Sequence, residues 1–256
     1  MKLGAQLFTV REFCQDLPGF AETLKKVADI GYTTVQVSGT CAYDAQWLKE
    51  QLERNGLRCV LTHIPAQQLR EDLDRVCRAH QSFGCGCVGL GWHGFAAETV
   101  RQDYAGFLET YKPIAKKLRE KGLYFMYHNH AHEFLHLDGS TVLDRMAQDF
   151  AADEMGFTLD TFWIQAGGGS SVDYIRKFKG RVPCIHLKDF RYTKAEANRE
   201  KMAAVGEGNI NFAQVVQAAA DAGTEYLLVE QDDCHGEDPF ACLKRSYEYL
   251  RAMGLE

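Results

Sequence analysis

Residues 123–134 read Leu-Tyr-Phe-Met-Tyr-His-Asn-His-Ala-His-Glu-Phe. An apolar, aromatic run of strand type gives way within one residue to three histidines, an amide and a carboxylate. Imidazoles in that density suit proton transfer near neutral pH or metal ligation, and Glu133 beside them suits either task. The same switch from apolar run to reactive side chain recurs along the chain. It occurs at His63, at Trp92-His93, at Asp160, at His186 with Lys188 and Asp189, and at Glu230-Gln231-Asp232. If these ends converge, two or three carboxylates and an imidazole share one space. They repel one another unless protons or a cation neutralise them. A divalent metal ion is the economical answer, with a metal-free carboxylate and histidine acid/base site as the other.

Convergence requires a scaffold, and the sequence supplies a repeating unit of amphipathic helix, glycine, short β-rich run and polar residues. Residues 20–29 carry Leu24, Val27 and Ala28 at helical spacing, Gly31 ends the helix, and Thr33-Thr34-Val35-Gln36-Val37 reads as strand. The unit returns with helices over 47–55, 73–83, 111–121, 142–150, 174–178 and 212–222, each followed by a glycine and a β-type run. With Leu3 to Leu7 as the first strand, about eight strands alternate with helices. The expected architecture is one α/β domain spanning 1–256, a closed (β/α)8 TIM barrel. An open doubly wound sheet is the competing arrangement. No glycine-rich phosphate fingerprint follows the first strand, where the chain reads Gln6-Leu7-Phe8-Thr9-Val10-Arg11. Gly167-Gly168-Gly169 falls where a strand-to-helix loop belongs.

A barrel places reactive side chains at the C-terminal ends of its strands, because the loops there form the active face. Alternate strand residues point inward, so Met126, His128 and His130 share a face. So do Thr158 and Asp160, then Cys184, His186 and Lys188, then Leu228 and Glu230. Oxygen-rich ligands with one nitrogen suit manganese, magnesium, cobalt or zinc. His63 and His93 could meet a substrate or bond a loop carbonyl; Phe8, Trp92 and Trp163 could stack on a ligand or fill the mouth. His80 and His136 read as surface or structural, Glu207 as a solvated carboxylate, and Lys188 as a lysine that polarises substrate or pairs with Asp189 at the surface.

Composition narrows the function classes. The 256 residues, 46% hydrophobic, carry 29 basic against 35 acidic side chains for a net charge of -6. That balance argues against a dedicated nucleic-acid surface and leaves small ligands open. The nine cysteines show no paired metal-ribbon spacing and read as reduced, mostly buried thiols. With no signal-type or membrane-spanning run, a cytoplasmic protein is expected. The apolar residues Ala218-Ala219-Ala220, Tyr247, Tyr249 and Leu250 fit a helix layer and leave a homo-oligomer open.

Several segments taken together carry a resemblance. Tyr127-His128-Asn129-His130 with Glu133, Leu159-Asp160-Thr161-Phe162-Trp163, His186-Leu187-Lys188-Asp189 and Val229-Glu230-Gln231-Asp232 follow in order. Val205-Gly206-Glu207-Gly208-Asn209-Ile210-Asn211-Phe212 comes between the last two of these. The set resembles the sugar phosphate isomerase/epimerase family of xylose isomerase-like TIM barrels, within the AP endonuclease family 2 superfamily, and its Tyr-His-Asn-His subgroup. The resemblance implies one divalent metal ion, manganese before magnesium, cobalt or zinc, held by a strand-end glutamate, Asp160, His186 and Glu230. The first position falls to Glu133, reached by a bulge or tight turn, with His128 or His130 as the alternative ligand. The substrate implied is a sugar or keto-glycoside. The metal would acidify the carbon beside its carbonyl, with an enediolate as intermediate, while His128 or His130 takes the proton. Isomerisation or epimerisation is the first expectation, with Glu133, Glu230 and Lys188 assisting and His63, Trp92, His93, Trp163 and Phe8 around the substrate. Elimination of the aglycone from a 3-keto-glycoside, or dehydration of a sugar or inosose, is the alternative. A phosphodiesterase with a multi-metal cluster and a non-catalytic or partner-dependent sugar-binding barrel complete the field.

Overall fold

The computed structural model describes residues 1–193 and 200–256. Eight parallel strands close into a barrel: β1 (Lys2–Gln6), β2 (Thr34–Val37), β3 (Arg58–His63), β4 (Cys87–Leu90), β5 (Tyr124–His128), β6 (Met155–Asp160), β7 (Cys184–Leu187) and β8 (Tyr226–Val229). Each strand pairs with its neighbours in sequence, and β8 closes on β1. The principal helices are α1 (Leu17–Ile30), α2 (Ala45–Arg54), α3 (Leu73–Phe83), α4 (Val100–Glu120), α5 (Val142–Asp149), α6 (Ser171–Lys177), α7 (Phe212–Ala222) and α8 (Pro239–Ala252). They form the outer layer of a (β/α)8 TIM barrel.

Local chemistry sets the boundaries of these elements. Asp16 caps α1 by accepting from the backbone N–H of Gly19, and Asn211 caps α7 from the N–H of Gln214. Gly84 and Gly223 end α3 and α7 in the left-handed region, at φ +72° and +83°, where a side chain would be strained. Helix α4 begins eleven residues before the expected start at Tyr111 and carries Pro113 inside it. Two short antiparallel hairpins, His136–Leu137 with Ser140–Thr141 and Asp189–Tyr192 with Glu200–Ala203, were not legible as strands and extend the loops after β5 and β7.

Two apolar regions hold the layers together. The larger fills the space between barrel and helices, with Phe107, Tyr111, Phe125, Tyr127 and Phe157 nearly inaccessible. The smaller, Val60, Leu61, Met126, Cys184, Tyr226 and Leu228, packs inside the barrel. Above this plug the inward positions become polar. Register brings His128 level with Thr158, Asp160 with His186, and His186 with Leu228, two residues before Glu230. The cysteines are free, and none is exposed. Among the described residues no helix is long and apolar enough to cross a membrane.

Barrel closure leaves no space at Gly4, which sits between Thr34 and Leu228 in register. A Cβ there would lie 2.5 Å from Thr34 Oγ1 and 2.6 Å from Leu228 Cδ2. Gly4→Ala is therefore expected to lower unfolding free energy by about 1–3 kcal/mol through overpacking, measured by urea denaturation.

Candidate metal centre and active site

Four strand ends bring His128, Asp160, His186 and Glu230 together at the barrel mouth, all four buried. One ligand atom from each lies within 4.8 Å of the others. His128 Nε2 is 3.3 Å from Asp160 Oδ2, and His186 Nδ1 is 3.8 Å from Asp160 Oδ2 and 2.9 Å from Glu230 Oε2. Rigid parallel strands fix this spacing, since every one of the four lies within one residue of a strand's C-terminal end.

The outward nitrogens of both imidazoles are already engaged. His128 Nδ1 lies 3.0 Å from the carbonyl of Gly91, an obligate acceptor, so Nδ1 carries the hydrogen. His186 Nε2 lies 2.6 Å from Gln36 Oε1 and donates to it. In the deprotonated form that metal ligation requires, His128 Nε2 and His186 Nδ1 would present lone pairs toward the two carboxylate oxygens. His186 Nδ1 and Glu230 Oε2 are buried and face each other at 2.9 Å, and Lys188 Nζ also lies 2.9 Å from that oxygen. Atoms of this kind aimed at a common space fit a metal ion, whose ligands must be deprotonated. The residues present therefore could hold one divalent ion in a set of two nitrogens and two oxygens. Among the described residues this is the one such group found.

Lys188 supplies the local positive charge. Its ammonium is buried, which excludes the surface pairing but not the substrate-polarising reading, with Nζ 3.0 Å from Asp160 Oδ2, 2.9 Å from Glu230 Oε2 and 3.0 Å from Asp232 Oδ2. Asp189 does not pair with it. That carboxylate accepts backbone N–H groups from Gly206, Gly208 and Ile210, which draw in the loop before α7. Burial opposes ionisation of Asp160 and Glu230, but Lys188 and the imidazoles outweigh it and hold both carboxyls well below their ordinary range. Burial also opposes the His186 imidazolium, yet Glu230 and Asp160 raise its pKa. Asp232 moves the other way, pushed up to about 6 by burial and by Glu230.

Glu133, the expected first ligand, is not one of the four. It is fully buried, accepts from Tyr127 Oη at 2.6 Å and from the backbone N–H of His130 at 2.7 Å, and lies 3.2 Å from His132 Nε2. Strand parity explains its place. Tyr127 faces the helix layer, its ring 5.5 Å from Phe107, and a 3-10 turn over His132–Phe134 carries Glu133 back to that outer side. His128, the inward neighbour, takes the position on the fifth strand.

The cluster forms part of the floor of a cavity of about 450 Å³ whose walls include Gln6, Phe8, His63, Trp92, His130 and Asp232. His130 has its Nδ1 buried without a partner, and burial followed by the nearby His128 lowers its pKa to about 2. Trp163 lies behind this wall, 5.1 Å from the His130 ring and 5.6 Å from the Lys188 ammonium. His93 is not brought to the cavity; its ring packs among Phe95, Phe107 and Tyr111. His80 is structural and buried, bonded to Thr62 and Val76, and Glu207 pairs with Arg245. Gln36 and Gln6, which donates to Ser38 at 3.0 Å, went unremarked in the sequence. Their signal was an amide at an inward position near the end of an apolar strand.

Two outcomes separate these roles. Gln36→Leu frees His186 to change tautomer and is expected to weaken divalent-metal affinity by about 10–100-fold, read by competition with a fluorescent chelator. Glu133→Ala leaves the Tyr127 hydroxyl and the His130 N–H without their acceptor. It is expected to cost about 2–3 kcal/mol in urea unfolding while metal affinity is unchanged.

Comparison with known proteins places the chain. Residues 24–253 match the family model described as xylose isomerase-like TIM barrel. An inosose dehydratase of Clostridium perfringens is 22% identical over 247 residues, covering 83% of this chain and 82% of that protein. A sugar phosphate isomerase/epimerase structure from Parabacteroides distasonis superposes with TM-score 0.78 at 19% identity, covering 98% of this chain and 93% of the other. The structure of an L-ribulose 3-epimerase superposes with TM-score 0.77 at 18% identity, covering 98% and 94%. The protein described above, with its closed barrel and polar mouth, belongs to the xylose isomerase-like TIM barrel family.

Proposed function

We propose that this protein is a metal-dependent enzyme that removes the proton from the carbon beside the carbonyl of a keto-sugar and returns it elsewhere, as an isomerase or epimerase. The observation that carries this reading is the buried cluster of His128, Asp160, His186 and Glu230, whose ligand atoms lie within 4.8 Å of one another at the base of an open cavity. A divalent ion held there would supply a Lewis acid, stabilising negative charge on the carbonyl oxygen as the neighbouring carbon loses its proton. Manganese is the ion proposed, with cobalt and zinc compatible. The second imidazole, contributed by His128, makes magnesium a poor match, since that ion prefers oxygen ligands.

The remaining roles fall to groups on the cavity wall. With His128 as a ligand, His130 is the imidazole left on the wall as base, held in place by the Glu133 contact to its backbone N–H and by the Trp163 ring; its lowered pKa makes it a weak base, able to take a proton only from a strongly acidified carbon. Lys188 and Asp232 sit where a substrate oxygen can be bound and oriented. Phe8 and Trp92 offer apolar surface to a ring, and His63 and Gln6 offer polar contacts to hydroxyls.

Elimination is a second reading, supported by two observations. The curated relatives are named inosose dehydratase, and an imidazole stands at the fifth-strand position where the family resemblance implies a glutamate. Both routes begin with the same proton abstraction, so the fate of that proton decides between them.

Solvent deuterium incorporation tests the proposal. Manganese-loaded protein is incubated in D2O with free ketoses, sugar phosphates, inososes and 3-keto-glycosides and followed by NMR. Deuterium in a rearranged sugar is expected, and Glu230→Gln should abolish it. Release of water or an aglycone with an unsaturated ketone would select elimination. Absence of exchange across the panel would overturn the enzyme reading.

A further inference from the structure

The two oxygens nearest the proposed metal position are also the two that the Lys188 ammonium touches. Asp160 Oδ2 faces His128 Nε2 at 3.3 Å and Lys188 Nζ at 3.0 Å. Glu230 Oε2 faces His186 Nδ1 and Lys188 Nζ, both at 2.9 Å. A divalent ion bound by those oxygens must share them with a fixed monovalent cation, and the two repel in an interior that screens charge poorly. Asp232 breaks this conflict. It is outside the four-residue cluster, and its Oδ2 accepts a hydrogen bond from the ammonium at 3.0 Å. The lysine backbone cannot retreat, because its N–H donates to Thr161 Oγ1 at 2.9 Å and its carbonyl accepts from the same hydroxyl at 2.8 Å. Only the flexible side-chain stem can move, and Asp232 marks where it goes.

We propose that Lys188 stands in for the divalent ion in the metal-free site and that Asp232 retains the ammonium when the ion binds, so that this pair sets the metal affinity of the site. The inference rests on the metal reading given above. Charge alone drives it: the three carboxylates against one ammonium leave two negative charges, which a divalent ion cancels. Removing the ammonium deepens the negative potential at the four ligands, whereas removing the Asp232 charge makes the ammonium lean entirely on Asp160 and Glu230. The mobile charge lies 5.6 Å from the Trp163 ring, so its shift has an optical witness.

The test is a charge cycle on the full chain, with zinc affinity measured by competition with a fluorescent chelator. Lys188→Met is expected to bind zinc roughly tenfold tighter than the wild type, Asp232→Asn roughly tenfold weaker, and the double variant close to the wild type. Lys188→Arg keeps the charge and should not tighten binding. Metal-free Lys188→Met should melt below metal-free wild type, because its buried carboxylates lose their counter-charge, and zinc should recover the loss. Zinc should change tryptophan emission in the wild type more than in Lys188→Met. Unchanged or weaker zinc binding by Lys188→Met overturns the inference. Should that variant fail to fold, Asp232→Asn decides alone, and unaltered affinity there overturns it equally. A wild type that binds no divalent ion would instead remove the metal reading on which the inference stands.

Discussion

Two carboxylates buried side by side at the end of a barrel set the central constraint of this molecule. Asp160 and Glu230 are inaccessible to solvent, and ionised groups in that position are costly unless something neutralises them. Lys188 does so in part, and the imidazoles of His128 and His186 do so only if a proton or a metal ion is added. By taking the outward hydrogens, the Gly91 carbonyl and Gln36 leave the inward nitrogens to face the carboxylates, where each can carry either a proton or a lone pair for a cation.

The barrel provides what such a cluster needs, which is stiffness from many directions. Each of the four side chains stands on a different strand, and register between neighbouring strands fixes their heights. Below them the apolar plug of Met126, Cys184, Tyr226 and Leu228 excludes water from the floor. Behind them Glu133 anchors the turn after β5 by holding Tyr127 and the His130 backbone together. That carboxylate thus supports the site from outside the barrel wall. On the far side, Asp189 gathers the backbone of Gly206, Gly208 and Ile210 and so fixes the loop that approaches the mouth from α7.

The alternation of apolar runs, glycines and helical patterns made the barrel legible in the sequence, and strand parity correctly grouped His128, Asp160, His186 and Glu230 on inward faces. Parity lost its meaning once the strand ended. Glu133 lies five residues beyond His128, where a 3-10 turn replaces the two-residue repeat, so the choice of the nearest carboxylate over the inward imidazole had no geometric support. For Lys188 the sequence left two readings, a polarising group and a surface partner of Asp189, because a lysine is rarely buried unless paired and its three partners come from two other strand ends, Asp160 from β6 and Glu230 and Asp232 from just after β8. Gln36 carries no charge and no titratable proton, so nothing in its residue type marks it as the group that fixes a histidine tautomer. His93 sits beside Trp92 in sequence, but the aromatic cluster of Phe95, Phe107 and Tyr111 draws its ring away from the cavity.

The imidazole on the fifth strand changes the electrostatics of the whole mouth. A carboxylate there would put a third negative charge among the ligands, and a substrate oxygen gaining charge would face it. With His128 in that place, the four ligands carry only the charges of Asp160 and Glu230, and Lys188 is set against Asp232 at 3.0 Å. Charge developing on a bound oxygen then meets less opposition from the protein itself. In the proposed reading the same exchange would remove a carboxylate base from the ligand set and leave proton transfer to groups on the wall, among them His130, its ring 4.7 Å from that of His128. Ligand charge and base identity would therefore be linked in the proposed site: an imidazole at position 128 lessens the negative charge of the floor and leaves the proton acceptor to the turn that Glu133 holds in place.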